Sequence, residues 1–347
     1  MQPVLRQLKN SKKKGVLWIG FGQFAKRLHK HVARRSDVEI VSFFYPDKAE
    51  AQKRFGAKAS WEIKTAITNP SVMAVFITTP NDQHAKYIKY ALENRKHVFV
   101  EKPITARLNE ALSIGPLVLG SKKKFMVGHN MRRKIAIRKI KEFIDSGKIG
   151  RVVNIYANYS KRISQSIDPS AWRYQKKRHR EGPLLTVGVH LIDILHYLLC
   201  PVNSVFGVIG NISRQTTAPD SNAVLLKFKN SATAFLEANY NILSESVLNV
   251  YGTKGTLYLD GDKLRYSSSS NQNGSISKIK KIPLVVNDDF EEEIDEFFSA
   301  IDGKGRVETG YQEALNALAV IEACFQSNIK HRSIKIKNIT KKYFRDK

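Results

Sequence analysis

Cysteine, acidic residues and long apolar runs are what this sequence has least of, and each shortage closes off a class of protein. The 347 residues include two cysteines, Cys200 and Cys324. Each sits inside an apolar helical pattern, as reduced core cysteines do, so neither a disulfide framework nor a metal site is expected. Hydrophobic residues make up 42% of the chain, yet no apolar stretch reaches the roughly 18 to 20 residues of a membrane helix, and no membrane partner is expected. The leading MQPVLRQLKNSKKK is basic without an apolar core, unlike a secretory signal, and a cytoplasmic location is the expectation. Asp and Glu total 31 against 58 Lys and Arg, a formal charge of +27. That excess attracts polyanions and steers small anionic ligands. The basic residues are spread over the N-terminal lead, 122–141, 161–180 and the tail from Lys330, with no nucleic-acid-binding motif to organise them. A solvated basic surface is therefore favoured over a nucleic-acid site.

What is present is a regular alternation. The run 15–19 ends in GFGQFA, and a helical pattern follows through Leu28, Val32 and Ala33. Further strands are expected at 38–44, 74–78 and 98–100, with helices at 49–55 and 84–93 between them. Strands and helices alternating at this spacing form βαβ units and a parallel, doubly wound sheet, closing near 125–128. Beyond it come a basic helix at 134–146, a strand at 152–159, a helix at 187–199, and strands at 205–211, 223–228, 232–239, 247–251 and 256–260. Turn residues separate these strands, as in a mostly antiparallel sheet. A Ser- and Asn-rich hairpin tip is expected at 267–277, and helices at 288–301 and 311–326. The fold class is thus α/β: an N-terminal Rossmann domain over 14–126 and a C-terminal α/β domain over 127–335, flanked by basic termini at 1–13 and 336–347.

The turn Gly20-Phe21-Gly22-Gln23-Phe24-Ala25 has the form G-x-G-x-x-A directly after the first strand. Gly20 permits the tight turn, Gly22 lets a pyrophosphate approach the backbone, and Ala25 lets the helix pack closely, its N-terminus facing the anion. Gln23 and Phe24 open that helix. The second strand ends Phe-Phe-Tyr45-Pro46-Asp47-Lys48, without the acid that would select NAD at its tip. Tyr45 and Lys48 accommodate a 2′-phosphate, Asp47 serves NAD if the loop shifts, and both NAD and NADP stay open. Thr78, Thr79, Pro80 and Asn81 lie at a strand's carboxyl end, where their polar groups reach the nicotinamide half of the cofactor or simply cap the next helix. His84 borders this cofactor set, and as a histidine it reads, like His97, as an ordinary helix or strand-edge residue.

Glu101-Lys102-Pro103 ends the next strand and puts a lysine at the crevice beside an acidic partner. There it can hydrogen-bond a substrate oxygen and move its proton during hydride transfer. In the second half, Thr186, His190 and Asp193 fall at i, i+4 and i+7, one helix face, able to address a substrate with Asp193 orienting His190. The bland alternative is a packed core histidine. Arg173, Lys176, Lys177, Arg178 and Arg180 offer cations to a phosphorylated or nucleotide-linked sugar.

In order and spacing, GFGQFA, TTPN, EKP, Trp172-Arg173, GPLLTVGVHLID and YGTKGTLYLD resemble the glucose-fructose oxidoreductase/inositol dehydrogenase (Gfo/Idh/MocA) family, from about Gly15 to Lys335. The resemblance implies hydride transfer between NAD(P) and a hydroxyl-bearing carbon of a sugar, cyclitol or nucleotide sugar. It further implies that Lys102 is the catalytic lysine and His190 the proton-transferring histidine, and that Trp172 and Arg173 lie near cofactor and substrate. Many members carry an aspartate where Thr186 stands, and a glycine run where Glu181-Gly182-Pro183 stands. Two readings follow: Lys102 and His190 suffice with Thr186 contacting substrate, or the chain is a dinucleotide-binding regulatory or scaffold protein without catalysis. The antiparallel sheet presents a face that needs covering, and a homodimer or homotetramer is expected.

Overall fold

The computed structural model describes residues 13–162, 168, 171–240, 242–268 and 278–338. The expected hairpin tip lies outside these from residue 269 on, as do most of the basic termini.

The first half contains β1 (Lys14–Ile19), α1 (Gln23–Arg34), β2 (Val38–Phe44), α2 (Lys48–Phe55), β3 (Ala59–Ser60), α3 (Ile63–Thr68), β4 (Val72–Ile77), α4 (His84–Glu93), β5 (His97–Glu101), α5 (Leu108–Gly120) and β6 (Phe125–Gly128). Its six strands lie in the order β3-β2-β1-β4-β5-β6, all pairs parallel. Strand order reverses between β1 and β4, and it is outside the carboxyl ends of the strands at such a switch point that ligands bind in open α/β sheets. β1 is buried at every position after Lys14, the continuous apolar run of a strand covered on both faces.

One face of this sheet carries an aromatic ladder. Trp18 stacks on Phe76 and Phe76 on Phe99, each pair 4.9 Å between ring centres. The ladder is sealed by Phe297 and Phe298 of a helix from the other end of the chain, with Phe297 5.6 Å from Phe76 and 5.7 Å from Phe99.

After β6 come α6 (Ile135–Asp145), β7 (Val152–Ser160), a π-turn at Leu184–Gly188, α7 (Val189–Leu198), β8 (Val202–Gly210), β9 (Ser221–Phe228), β10 (Thr233–Asn239), β11 (Glu245–Gly252), β12 (Gly255–Asp260), β13 (Lys263–Ser268), β14 (Lys280–Ile282), α8 (Asp289–Ile301), α9 (Tyr311–Lys330) and β15 (Ile334–Lys335). A second sheet has nine strands in the order β14-β13-β12-β11-β7-β10-β9-β8-β15, antiparallel except for the β7·β10 pair. Buried and open residues alternate along β9 and β10, so one sheet face packs inward and the other faces out. The outward face shows Val153, Phe206, Val208 and Leu225, between 41% and 55% exposed.

Six elements escape the sequence pattern. β3, α3, β14 and β15 are short, β13 runs into the Ser- and Asn-rich stretch, and α5 runs through Gly115-Pro116, a strong breaker signal. Packing overrides it: Tyr311 of α9 lies against Gly115, where a Cβ would meet its hydroxyl at 2.5 Å, and donates to the Ala111 carbonyl at 3.0 Å. α8 also departs from the expected division of the chain. It belongs by sequence to the 127–335 segment but packs in the core of the first sheet with Ile294, Phe297 and Phe298. Among the described residues no helix is long and apolar enough to cross a membrane, and no group of His, Cys, Asp and Glu is placed to hold a metal ion.

Candidate active site

The turn after β1 is shaped for an outside anion. Gly20 has φ +79°, and a Cβ on it would lie 2.7 Å from the Thr79 side chain, so only glycine brings this turn against the loop after β4. A Cβ on Gly22 would meet nothing within 4 Å. Packing therefore does not require glycine there, whereas close approach of a ligand does. α1 starts at Gln23 with no side-chain cap and no acid in its first turn, leaving its N-terminal amides to a phosphate.

Across the switch point, the Thr79 hydroxyl and both polar atoms of Asn81 are buried without a partner in the structure. Buried polar groups left open in this way fit a dinucleotide whose carboxamide and ribose supply the missing hydrogen bonds. Thr78 is committed inward, accepting from Trp18 Nε1 at 2.9 Å and donating to the Gly20 carbonyl.

Glu101 and Lys102 end β5. Lys102 Nζ donates to the Thr186 carbonyl at 2.7 Å, and the Lys102 amide donates to Glu101 Oε2 at 3.1 Å. Burial lowers the Lys102 pKa; Glu101 opposes the shift, while Lys161 and Arg173 add to it. Burial pushes the Glu101 carboxyl up, with Lys102 opposing. An amine held below the ordinary lysine range can both take and return a proton near neutral pH. His190 is buried beside it. Burial first and the Lys102 charge second hold the imidazole well below 6.5, so it is neutral at pH 7. Its ring meets Tyr159 edge-on at 6.1 Å, and its Nδ1 has no partner. The Thr186 hydroxyl shares a hydrogen bond with the Tyr240 hydroxyl, whose pKa burial pushes up to about 12.

Residues 14–129 match the family described as "Oxidoreductase family, NAD-binding Rossmann fold", and residues 137–258 match the "GFO/IDH/MocA C-terminal domain". The chain belongs to the Gfo/Idh/MocA family. An uncharacterized oxidoreductase of Streptococcus pneumoniae is 26% identical over 93% of this chain and 98% of its own length. Levoglucosan dehydrogenase of Pseudarthrobacter phenanthrenivorans is 27% identical, the match spanning 65% of each protein. Among solved structures, a putative NADPH-dependent oxidoreductase of Desulfitobacterium hafniense superposes with a TM-score of 0.87 at 29% identity, over 94% of this chain and 99% of that one. Binding of NAD or NADP is thereby a property of the family that this cradle fits.

As a Gfo/Idh/MocA chain, it brings Lys102, Thr186 and His190 together but leaves three of the expected residues elsewhere. Asp193 does not orient His190: both its oxygens accept from Arg132, one from Nε at 2.9 Å. Burial would raise the Asp193 carboxyl, and His129 and Arg132 overcome this and hold it below its usual range. His84 does not reach the cofactor side. It is buried with Nδ1 2.9 Å from the Pro103 carbonyl and Nε2 3.0 Å from the Thr79 carbonyl, tying the TTPN loop to the EKP loop from behind. Asp47 caps α2, accepting from the Glu50 amide at 2.7 Å, and so leaves the tip of β2 without a free acid. Lys48 lies over Trp61 and Arg54 over Tyr45, 4.8 and 5.1 Å from the ring centres.

The strap 171–183, which carries Trp172 and Arg173, is tied down by its own cations. Arg178 pairs with Asp82, just past the TTPN loop, and Glu181 is buried between Arg107 and Arg180, which also reaches Glu322. Arg178 and Arg180 are therefore spent internally and not offered to a substrate. Gly182 makes the turn at φ +55° with the Pro219 carbonyl 2.4 Å from where a Cβ would sit. Sequence reasoning singled out none of Tyr159, Arg132 and Tyr240, and met Lys161 only as the first residue of the basic 161–180 stretch. Arg132 left a signal too, as one of two adjacent arginines just past the carboxyl end of β6.

Proposed function

We propose that the chain transfers a hydride between NAD(P) and a hydroxyl-bearing carbon of a sugar or cyclitol, with Lys102 as the proton-handling group. The observation that carries this is Lys102: a lysine kept below its usual pKa at the carboxyl end of β5, its amine fixed by the Thr186 carbonyl. Gly20, Phe21, Gly22, Gln23 and Phe24 would hold the pyrophosphate end of the cofactor, and Thr79, Pro80 and Asn81 the nicotinamide end. When bound, the cofactor supplies the hydride acceptor or donor. All proton handling falls to the chain: Lys102 takes the hydroxyl proton in the oxidation direction and returns it in reduction. Neutral His190 hydrogen-bonds the same oxygen and relays the proton onward. Trp172 and Arg173 face the substrate from the strap.

Two supporting features bear on the cofactor and the assembly. With Asp47 used as a helix cap, Lys48 over Trp61, and Arg54 over Tyr45 and paired with Glu50, the tip of β2 tolerates a 2′-phosphate. NADPH is expected to bind at least as tightly as NADH, with Arg54→Ala weakening NADPH alone. The experiment is calorimetric titration with both cofactors, followed by turnover on a panel of sugars, inositols and nucleotide sugars. Tight cofactor binding without turnover on any member would favour a regulatory or scaffold protein, the reading to which Thr186 in the aspartate position also lends support.

The outward face of the nine-stranded sheet is the surface at which two copies would meet, because contiguous apolar side chains on an open sheet call for a cover. Light scattering on the purified protein should give a dimer or tetramer, and Phe206→Lys with Leu225→Lys should give a monomer. A monomeric wild type would refute this assembly.

A further inference from the structure

The rim of the site is cationic. Lys161 follows β7, its amide donating to the Asn239 carbonyl at 2.9 Å and its backbone bridged to Tyr240. It therefore leaves the sheet at the edge from which Tyr240 reaches Thr186. Its Nζ lies 5.0 Å from the centre of the Tyr159 ring, and that ring is the one packed on His190. Arg173 approaches from the strap, exposed, with its guanidinium 5.4 Å from the centre of the Trp172 ring. The charges of Lys161 and Arg173 both act on Lys102.

Among the described residues neither Lys161 nor Arg173 has a carboxylate at ion-pair distance, whereas their neighbours Arg178 and Arg180 are paired. The buried acids nearby already have donors: Glu101 accepts from the Lys102 amide, Glu293 pairs with Arg133 and Asp193 holds Arg132. Next to Lys102 the chain places the neutral Thr186, its carbonyl accepting from Nζ at 2.7 Å and its hydroxyl bound to Tyr240. That residue brings no negative charge to repel an anion.

We propose that the substrate carries an oxyanion, a carboxylate or a phosphate ester, bound by Lys161 and Arg173 while Lys102 and His190 address the reacting hydroxyl. The inference rests on the hydride-transfer reading above. The planar fork of Arg173 and the mobile ammonium of Lys161 suit either oxyanion, giving charge-assisted hydrogen bonds that a neutral sugar cannot form. In oxidation the carbinol C–H bond breaks with its electron pair passing as hydride to NAD(P)+. The O–H proton goes to the Lys102 amine, the C–O bond becomes C=O, and the oxyanion is unchanged.

The test is calorimetric titration of the full chain, saturated with NADPH or NADH, with matched ligands: D-glucose, D-glucuronate and D-glucose 6-phosphate, and the galacto series. At least one anionic ligand is expected to bind about tenfold or more tightly than its neutral partner. The uronate and phosphate arms tell the two oxyanions apart. Lys161→Gln and Arg173→Gln should each remove about tenfold of that affinity with the thermal-unfolding midpoint unchanged. Equal affinity for the neutral partner, a preference that survives both substitutions, or no binding by any anionic ligand would overturn the proposal. An anion preference in a protein that binds neither dinucleotide would sink the hydride-transfer reading and leave the anion site standing.

Discussion

Lys102→Met is expected to slow turnover by about 10²- to 10⁴-fold, the range that a positioned acid–base group contributes, with dinucleotide affinity retained. Methionine is an unbranched side chain one atom shorter, without the amine, and the loops after β4 and β5 stay in place because His84 bridges the Thr79 and Pro103 carbonyls. The wild-type pH profile carries the second half of this expectation. Only the neutral amine accepts a proton, so oxidation should rise with pH to a plateau, and reduction should fall over the same range. Because burial lowers the Lys102 pKa, the midpoint should lie below the roughly 10.4 of a free lysine. Steady-state rates in both directions, for wild type and variant, check this. Turnover that survives in Lys102→Met, or a midpoint at the free-lysine value, would remove Lys102 from the chemistry.

The second large effect is on stability. His129, His179 and His196 are buried and shifted down to about 4, 3 and 4, by burial foremost, and His190 lies well below 6.5 for the same reason. A histidine whose folded pKa is depressed contributes stability that is complete above its unfolded value of about 6.5. It is lost as pH falls toward and through the folded value, because the unfolded chain takes up the proton first. At about 1.4 kcal/mol per pKa unit, His129, His179 and His196 each forfeit on the order of 3 kcal/mol. Against a typical total of about 5–15 kcal/mol, that loss removes much of the stability by pH 4, and His190 acts in the same direction. Thermal-unfolding midpoints measured from pH 7 to pH 4 should drop steeply below 6.5, and His196→Gln should flatten the slope. The Asp193 carboxyl, held low, gives up its own contribution only at more acid pH, so a midpoint constant down to pH 4.5 would contradict the histidine account.

The sequence made the first domain legible because its signals are local: an apolar run, a glycine turn and a helix period, repeated. Lys102 and the glycines follow from that pattern, since they stand at strand ends whose order the pattern fixes. The helix face drawn through Thr186, His190 and Asp193 is different. The π-turn at Leu184–Gly188 departs from the period on which that face was drawn, and Arg132, 61 residues away in sequence, claims the Asp193 carboxylate. Partners that distant leave no periodic trace. The same holds for Tyr240 and Lys161, which meet the site only because β7 and β10 pair in parallel. α5 was hidden by its own Gly115-Pro116, a breaker in isolation that is tolerated once Tyr311 packs against it.

The seal that Phe297 and Phe298 place over Phe76 and Phe99 also governs how the chain is made. The last strand of the first sheet ends at Gly128, and the sealing helix begins at Asp289. At roughly 5–20 residues per second of synthesis, the nucleotide-binding half waits on the order of ten seconds or more with its aromatic ladder uncovered. The two halves are thus not successive folding units on the ribosome, and a gene fragment cut after β6 encodes a nucleotide-binding lobe with a sticky aromatic flank.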